Sequence, residues 1–325
     1  MTVIGFHASH EQVHPAELLR AVELAEAAGF AAGMCSDHFA PWSERQGHSG
    51  FAWSWLGAAL ASTTLPFGVV TAPGQRYHPA IVAQAAATLE AMFPGRFWMA
   101  LGSGEAINEH ITGDRWPRKE LRDRRLEESA RIIKALLAGA EVSHDGLVTV
   151  DRARLWTRPA EPAAVLGAAV TVPTAGAVAS WADGMITLDQ PSGHLKQMVE
   201  TYRAAGGRGP LCVQVHLSWH PDQETALRIG HEQWRSNAFP PDLAWNLEMP
   251  AQFDAASAQV PPSAMHDHLL ISSDPGVHAE RIAELIDIGF DEVYLHHVGQ
   301  TQKEFIEFFG EHVLPRFDLT GPEDA

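Results

Sequence analysis

Only two cysteines occur among the 325 residues, Cys35 and Cys212. They form no CxxC and no metal-ligand cluster, and both sit in apolar, strand-like runs. They therefore read as buried free thiols, which excludes a disulfide framework. Basic residues are also scarce, 23 against 40 acidic, for a formal net charge of −17. A polyanion would be repelled at long range, so neither nucleic acid nor an anionic membrane surface is an expected partner. No run of about 18 apolar residues is present, which leaves no transmembrane helix. Residues 1–7 lack the basic stretch and long apolar core of a signal peptide, so a cytoplasmic location is expected. No GxGxxG follows the first predicted strand, and no GK[ST] follows Gly95, Gly102 or Gly104, so the dinucleotide-fold and P-loop readings lose support. Repeats, low-complexity segments and long polar linkers are absent as well. One domain is expected to span residues 1–318, with 319–325 as a short tail.

What is present is alternation. Hydrophobic residues make up 46% and charged residues 19%, an ordinary globular balance. Short apolar runs predict strands at 3–8, 31–39, 66–71, 96–101, 164–170, 184–188, 211–219 and 292–298, nearly all followed by helical patterns. The helix predicted over 119–138 turns Leu126, Ala130, Ile133 and Leu137 inward. Residues 141–162 read as an inserted hairpin and loop, and the Pro-rich stretch 239–262 as a second insertion. Strands alternating with helices imply parallel pairing through crossover helices. Eight such units in one chain predict an α/β fold, a closed (β/α)8 TIM barrel with insertions.

A barrel of this kind carries its chemistry at the C-terminal ends of its strands. His7 and Glu11 fall at the first such end, Asp37, His38 and Trp42 at the second, and Val69 and Val70 at the third. Gly102, Gly104, Glu105 and Asn108 follow the fourth, His216 the seventh and His296 the eighth. A histidine titrates near neutrality and suits proton transfer, although from its chemistry alone His38 reads more readily as a hydrogen-bonded core residue. Asp37 is its neighbour, but adjacent strand residues point to opposite faces, so the two are not expected to pair. Trp42 offers a flat face to a planar ring. Glu105 sits in a glycine-bracketed turn where it could act as acid, base or acceptor, or merely be solvated. His7, Glu11, His216 and His296 are candidate substrate contacts. The spacing among His216, His296 and His297 matches no HxxxH or HExxH pattern, and no metal is expected. The cluster of Phe51, Trp53 and Trp55 reads as helix packing or a subunit interface.

Several segments together resemble the coenzyme F420-dependent glucose-6-phosphate dehydrogenases of the luciferase-like monooxygenase superfamily. They are Ser36-Asp37-His38-Phe39-Ala40-Pro41-Trp42, Arg76-Tyr77-His78-Pro79-Ala80, Ala83-Gln84-Ala85, Pro94-Gly95-Arg96-Phe97 and the run from Gly102 to Glu109. The resemblance implies a homodimeric barrel with a flavin-like ring over its mouth and a small-molecule substrate. It makes His38 the base that removes a substrate hydroxyl proton, with Trp42 and Glu105 flanking the reacting carbons. It gives Asp37 and Asn108 hydrogen bonds to the cofactor, and places Ala168, Ala169 and Thr171 near the cofactor phosphate. It also implies a non-prolyl cis peptide at Val69-Val70, a conformation that costs about 3–4 kcal/mol.

The sequence departs from that family where a sugar phosphate would be held, with Pro191, Ala255 and His268 in place of basic residues. Losing charge-assisted contacts to a dianion argues against glucose 6-phosphate as substrate. The sequence is also similar to a side branch of the group that uses FMN, which makes FMN the expected cofactor. The expected function is hydride transfer between an uncharged organic substrate and FMN, with oxygen chemistry as an extension. The alternatives are an F420-dependent alcohol or sugar dehydrogenase, a non-catalytic flavin-binding protein and, remotely, a metal-dependent barrel hydrolase.

Overall fold

The computed structural model describes residues 2–317, so the expected tail at 319–325 lies outside the described residues. In chain order the strands are β1 (Val3–Ala8), β2 (Ala32–Ser36), β3 (Phe67–Thr71), β4 (Phe97–Leu101), β5 (Val142–Asp145), β6 (Thr149–Ala153), β7 (Ala164–Ala168), β8 (Gly184–Leu188), β9 (Leu211–Ser218), β10 (Leu270–Ile271) and β11 (Glu292–His297). Eight of them pair in the order β11-β1-β2-β3-β4-β7-β8-β9, and β9 pairs back onto β11 to close the ring. All of these pairings are parallel. The chain is thus the (β/α)8 barrel that its alternation predicts. The antiparallel hairpin β5–β6 is the insertion expected within 141–162. The two-residue strand β10, which continues the sheet along the end of β9, is too short to leave a period in the sequence.

The strand period of two sorts side chains between two cores. Ala32, Met34, Ala100, Leu166, Ile186, Cys212 and Tyr294 form the cluster inside the barrel. Their chain neighbours, among them Cys35, Val69, Met99, Val165 and Val213, pack outward against the helices. Two inner glycines are needed by this filling. A Cβ on Gly5 would lie 2.4 Å from the Tyr294 ring, and one on Gly68 2.0 Å from the Trp98 ring. Those two rings sit 5.8 Å apart and plug the barrel one layer beneath the strand ends. What lies above them is a floor of smaller and polar side chains.

The helix Lys119–Leu137 buries Leu126, Ala130, Ile133 and Leu137, the face its spacing predicts. Trp53 and Trp55 are buried in the helix Ala52–Ser62 and serve packing, whereas Phe51 is exposed. The strand predicted over 31–39 ends at Ser36, so Asp37 and His38 open the following loop. Within 239–262 the chain forms two short helices, Pro241–Ala244 and Pro250–Ala256. Among the described residues no helix is long and apolar enough to cross a membrane.

Candidate active site

The strand ends open into one cleft with three compartments. The inner one, about 200 Å³, lies over the barrel floor, and its lining includes His7, His38, Val70, Gln214, His216 and His296. The outer one, about 610 Å³, includes Trp42, Trp234, Pro191, His268 and Arg281. A flank compartment of about 170 Å³ includes Asp37, Arg76, Gly102, Asn108, Lys119 and Thr174. Glu105, Val170 and Leu188 border all three.

His38 points inward, and its Nδ1 forms an ion pair with the buried Glu11 carboxylate. Ser9 Oγ donates to the other carboxylate oxygen, Oε2, at 2.8 Å. Glu11 is therefore the partner of His38 and not a free substrate contact, since both of its oxygens are engaged. Burial pulls the imidazole pKa down, but the charge and hydrogen bond of Glu11, with the charge of Glu105, outweigh it and hold His38 above the ordinary 6.5. Glu11 shows the matching effect. Burial would raise its pKa, but the charge and hydrogen bond of His38 hold it below the usual carboxylate value. With Nδ1 taken, the nitrogen left for a ligand is Nε2.

Trp42 meets the His38 ring edge to face, with centroids 5.2 Å apart and planes at 87°. Its backbone N–H donates to Gln46 Oε1 at 2.8 Å, and its ring packs edge-on against Phe253 of the second insertion. That insertion is anchored where Asp254 accepts from Ser43 Oγ at 2.6 Å and pairs with Arg45. It is anchored again where Trp245 O accepts from Ala106 N at 3.1 Å. The Pro-rich stretch thus roofs the cleft. Asn108 orients Glu105: its Nδ2 donates to Glu105 Oε2 at 3.3 Å, while its Oδ1 accepts from Phe39 N at 2.9 Å.

Asp37 points away from His38, although both lie in the loop beyond β2. Its Oδ2 accepts from Trp53 Nε1 at 3.0 Å and Thr71 Oγ1 at 2.8 Å, and its Oδ1 from Tyr77 OH at 3.2 Å. Arg76 Nη2 donates to the Asp37 carbonyl at 2.7 Å and lies 3.6 Å from Oδ2. The side chain is already saturated, so Asp37 is an internal anchor that borders the flank compartment. Arg76 also faces Glu109, whose backbone-bound carboxyl is raised to about 7, chiefly by burial and against the pull of Arg76.

Three expectations are corrected. The peptide at Val69-Val70 is trans, and no cis peptide occurs among the described residues. Val69 faces the outer core, and only Val70 borders the cleft. Thr171 caps the helix Val172–Val178, with its Oγ1 accepting from Thr174 N at 3.3 Å, and lines none of the compartments. Ala168 and Ala169 do line the inner compartment, joined by Val170, which the sequence does not single out. His7, His216 and His296 gather at the barrel floor, and His7 stacks on His296 with centroids 4.3 Å apart. Gln46, in a turn, and Gln214 and Trp234, in a strand and a helix, carry no motif signal, because a lone amide or indole is not distinctive in sequence.

A flat ring fits this geometry. Val70, Ala168, Ala169 and Leu188 give small apolar walls. A Cβ on Gly102 would reach within 3.7 Å of the Ala168 Cβ and 3.9 Å of Thr71 O, filling space that the glycine leaves at the compartment junction.

The sequence model of the luciferase-like monooxygenase family matches residues 1–292. An F420-dependent glucose-6-phosphate dehydrogenase from Microbacterium testaceum is 34% identical, over 96% of this chain and 96% of its own. One from Nakamurella multipartita is 34% identical, over 96% and 95%. Among solved structures, an F420-dependent secondary alcohol dehydrogenase in complex with an F420–acetone adduct superimposes with a TM-score of 0.89. It is 28% identical, and the match covers 97% of this chain and 98% of that one.

Proposed function

The chain belongs to the luciferase-like monooxygenase family of oxidoreductases, and we propose that it is a deazaflavin-dependent dehydrogenase of a small, uncharged alcohol. The observation that carries this reading is the Glu11–His38 pair, which leaves Nε2 as the available base beside Trp42 and Glu105 in one cleft. The FMN expectation gives way here, because the relatives over the full chain are named for F420. The walls of Val70, Ala168 and Ala169 would hold the ring, with Asn108 and Arg76 toward its side chain. When bound, the deazaflavin supplies the carbon that accepts a hydride.

The residues of the chain manage the proton. His38 Nε2 takes the hydroxyl proton as the carbonyl forms, and Glu11 stabilises the resulting imidazolium. Glu105 adds negative potential on the same side. Trp42 and the roof around Phe253 limit water at the reacting carbon. Arg281 is the single Lys or Arg among the described residues lining the outer compartment. Its guanidinium is held by Asp189 and Glu284. Pro191 and His268 border the same space, while Ala255 is exposed outside it. A phosphate dianion therefore meets no unengaged guanidinium or ammonium there, which supports an uncharged substrate.

The test is reconstitution of the apoprotein with deazaflavin and, separately, with FMN. Deazaflavin should bind tighter by calorimetry and be reduced by neutral secondary alcohols, with glucose 6-phosphate no better than glucose. Tighter FMN binding would overturn the cofactor assignment.

The pH profile adds a second expectation. A base must be neutral to act, so oxidation should rise with pH through the His38 pKa, above 6.5. Glu11→Gln removes the charge that raises it, leaving burial to dominate. The ascending limb of kcat/KM should then move to lower pH. A limb that stays in place would show that Glu11 does not tune the base.

A further inference from the structure

The barrel floor contains a hydrogen-bond chain whose direction is fixed from one end. Gln12 Nε2 donates to the Val298 carbonyl. That orients the amide, so the atom facing His296 Nε2 at 2.8 Å is Gln12 Oε1. A carboxamide oxygen only accepts, so His296 carries its proton on Nε2. Burial, reinforced by the neighbouring His7 and His216, holds the His296 pKa well below 6.5. The ring is therefore neutral and its Nδ1 is an acceptor, filled by Gln214 Nε2 at 3.2 Å. The second N–H of that amide reaches His216 Nε2 at 3.0 Å. His216 is also neutral, burial bringing it down to about 4, so its proton must sit on Nδ1.

Two groups are left over. His216 Nδ1–H is a donor and Gln214 Oε1 an acceptor, and neither has a hydrogen-bond partner in the protein among the described residues. Both side chains line the inner compartment that holds His38. His216 packs against Trp234, which lines the same compartment, with centroids 4.5 Å apart. A neutral donor and a neutral acceptor on residues that line one compartment suit a hydroxyl, which accepts and donates at once, and give no charge to a carboxylate or phosphate.

We propose that Gln214 and His216 form the specificity element of the cleft, holding a second hydroxyl of a neutral polyhydroxy substrate while His38 addresses the first. This rests on the alcohol dehydrogenase reading above and narrows it to diols and larger polyols. A site built to hydrogen-bond a hydroxyl discriminates strongly against analogues that lack it, because its own polar groups are then left unpaired.

The experiment uses matched pairs on the deazaflavin-loaded enzyme: propan-2-ol against propane-1,2-diol, and butan-2-ol against butane-2,3-diol. The diols should have kcat/KM higher by about tenfold or more, mainly through KM. In Gln214→Leu and His216→Phe the diol-to-alkanol ratio should fall toward one. Equal or better use of the alkanols by the unaltered enzyme, or a ratio that survives both substitutions, overturns the proposal and leaves the dehydrogenase reading standing. Failure of every alcohol to reduce the cofactor removes that reading and the proposal together. A second readout needs no turnover. In ¹⁵N-histidine spectra of the purified protein, His216 should be the Nδ1–H tautomer and should shift on addition of the diols. An Nε2-protonated His216 overturns the assignment whatever the kinetics.

Discussion

His38→Ala should lower the single-turnover rate of cofactor reduction by about a hundredfold or more, the usual contribution of a positioned general base. The geometry leaves little room for a substitute. Glu11, the nearest carboxylate, faces the Nδ1 side of the ring and is occupied by Ser9. Glu105 borders the same compartment but is tied to Asn108. Because the His38 carbonyl, not its side chain, accepts from Ser49 Oγ at 2.8 Å, the loop should keep its course after the substitution. Cofactor affinity should therefore change much less than the rate. Rapid-mixing absorbance with saturating alcohol measures this directly, and a rate within a few-fold of the unaltered protein would remove His38 from the chemistry.

The largest effect on stability should come from Asp37→Ala. The carboxylate is fully buried and accepts from Trp53, Thr71 and Tyr77, with Arg76 alongside. Removing one partner of a buried ion pair leaves the other charge uncompensated, which typically costs about 3–5 kcal/mol. Here three neutral donors lose their acceptor as well. The urea midpoint should fall with little change in slope, since the area exposed on unfolding is nearly the same. Asp37→Asn keeps an acceptor oxygen and should cost less than the alanine. A midpoint unmoved by Asp37→Ala would mean that the network is not structural.

The alternation of strand and helix was readable along the chain because each element is set by residues that are near neighbours in sequence. Asp37 and His38 do face apart as expected, one to Trp53 and the other to the cleft, but from the loop beyond β2, where the strand period no longer applies. The two short motifs, around Asp37-His38 and Gly102 to Glu109, landed at the ends of β2 and β4 on the same rim, with β3 between them. Thr171 shows the limit of motif matching. Its position follows a strand, but its hydroxyl is spent on capping the next helix. The role of Glu11 shows another limit. Nothing local distinguishes a carboxylate that contacts substrate from one that charges a histidine on a neighbouring strand.

By itself, then, the sequence determined the barrel, the rim that carries the chemistry and which of its residues are ionisable. Strand pairing decided the rest: β1 beside β2 brings Glu11 to His38, and β11 between β1 and β9 lines up Gln12, His296, Gln214 and His216. Side-chain periodicity is local, whereas proton positions and ion pairs depend on which strands register against each other. That register exists only once the sheet has closed.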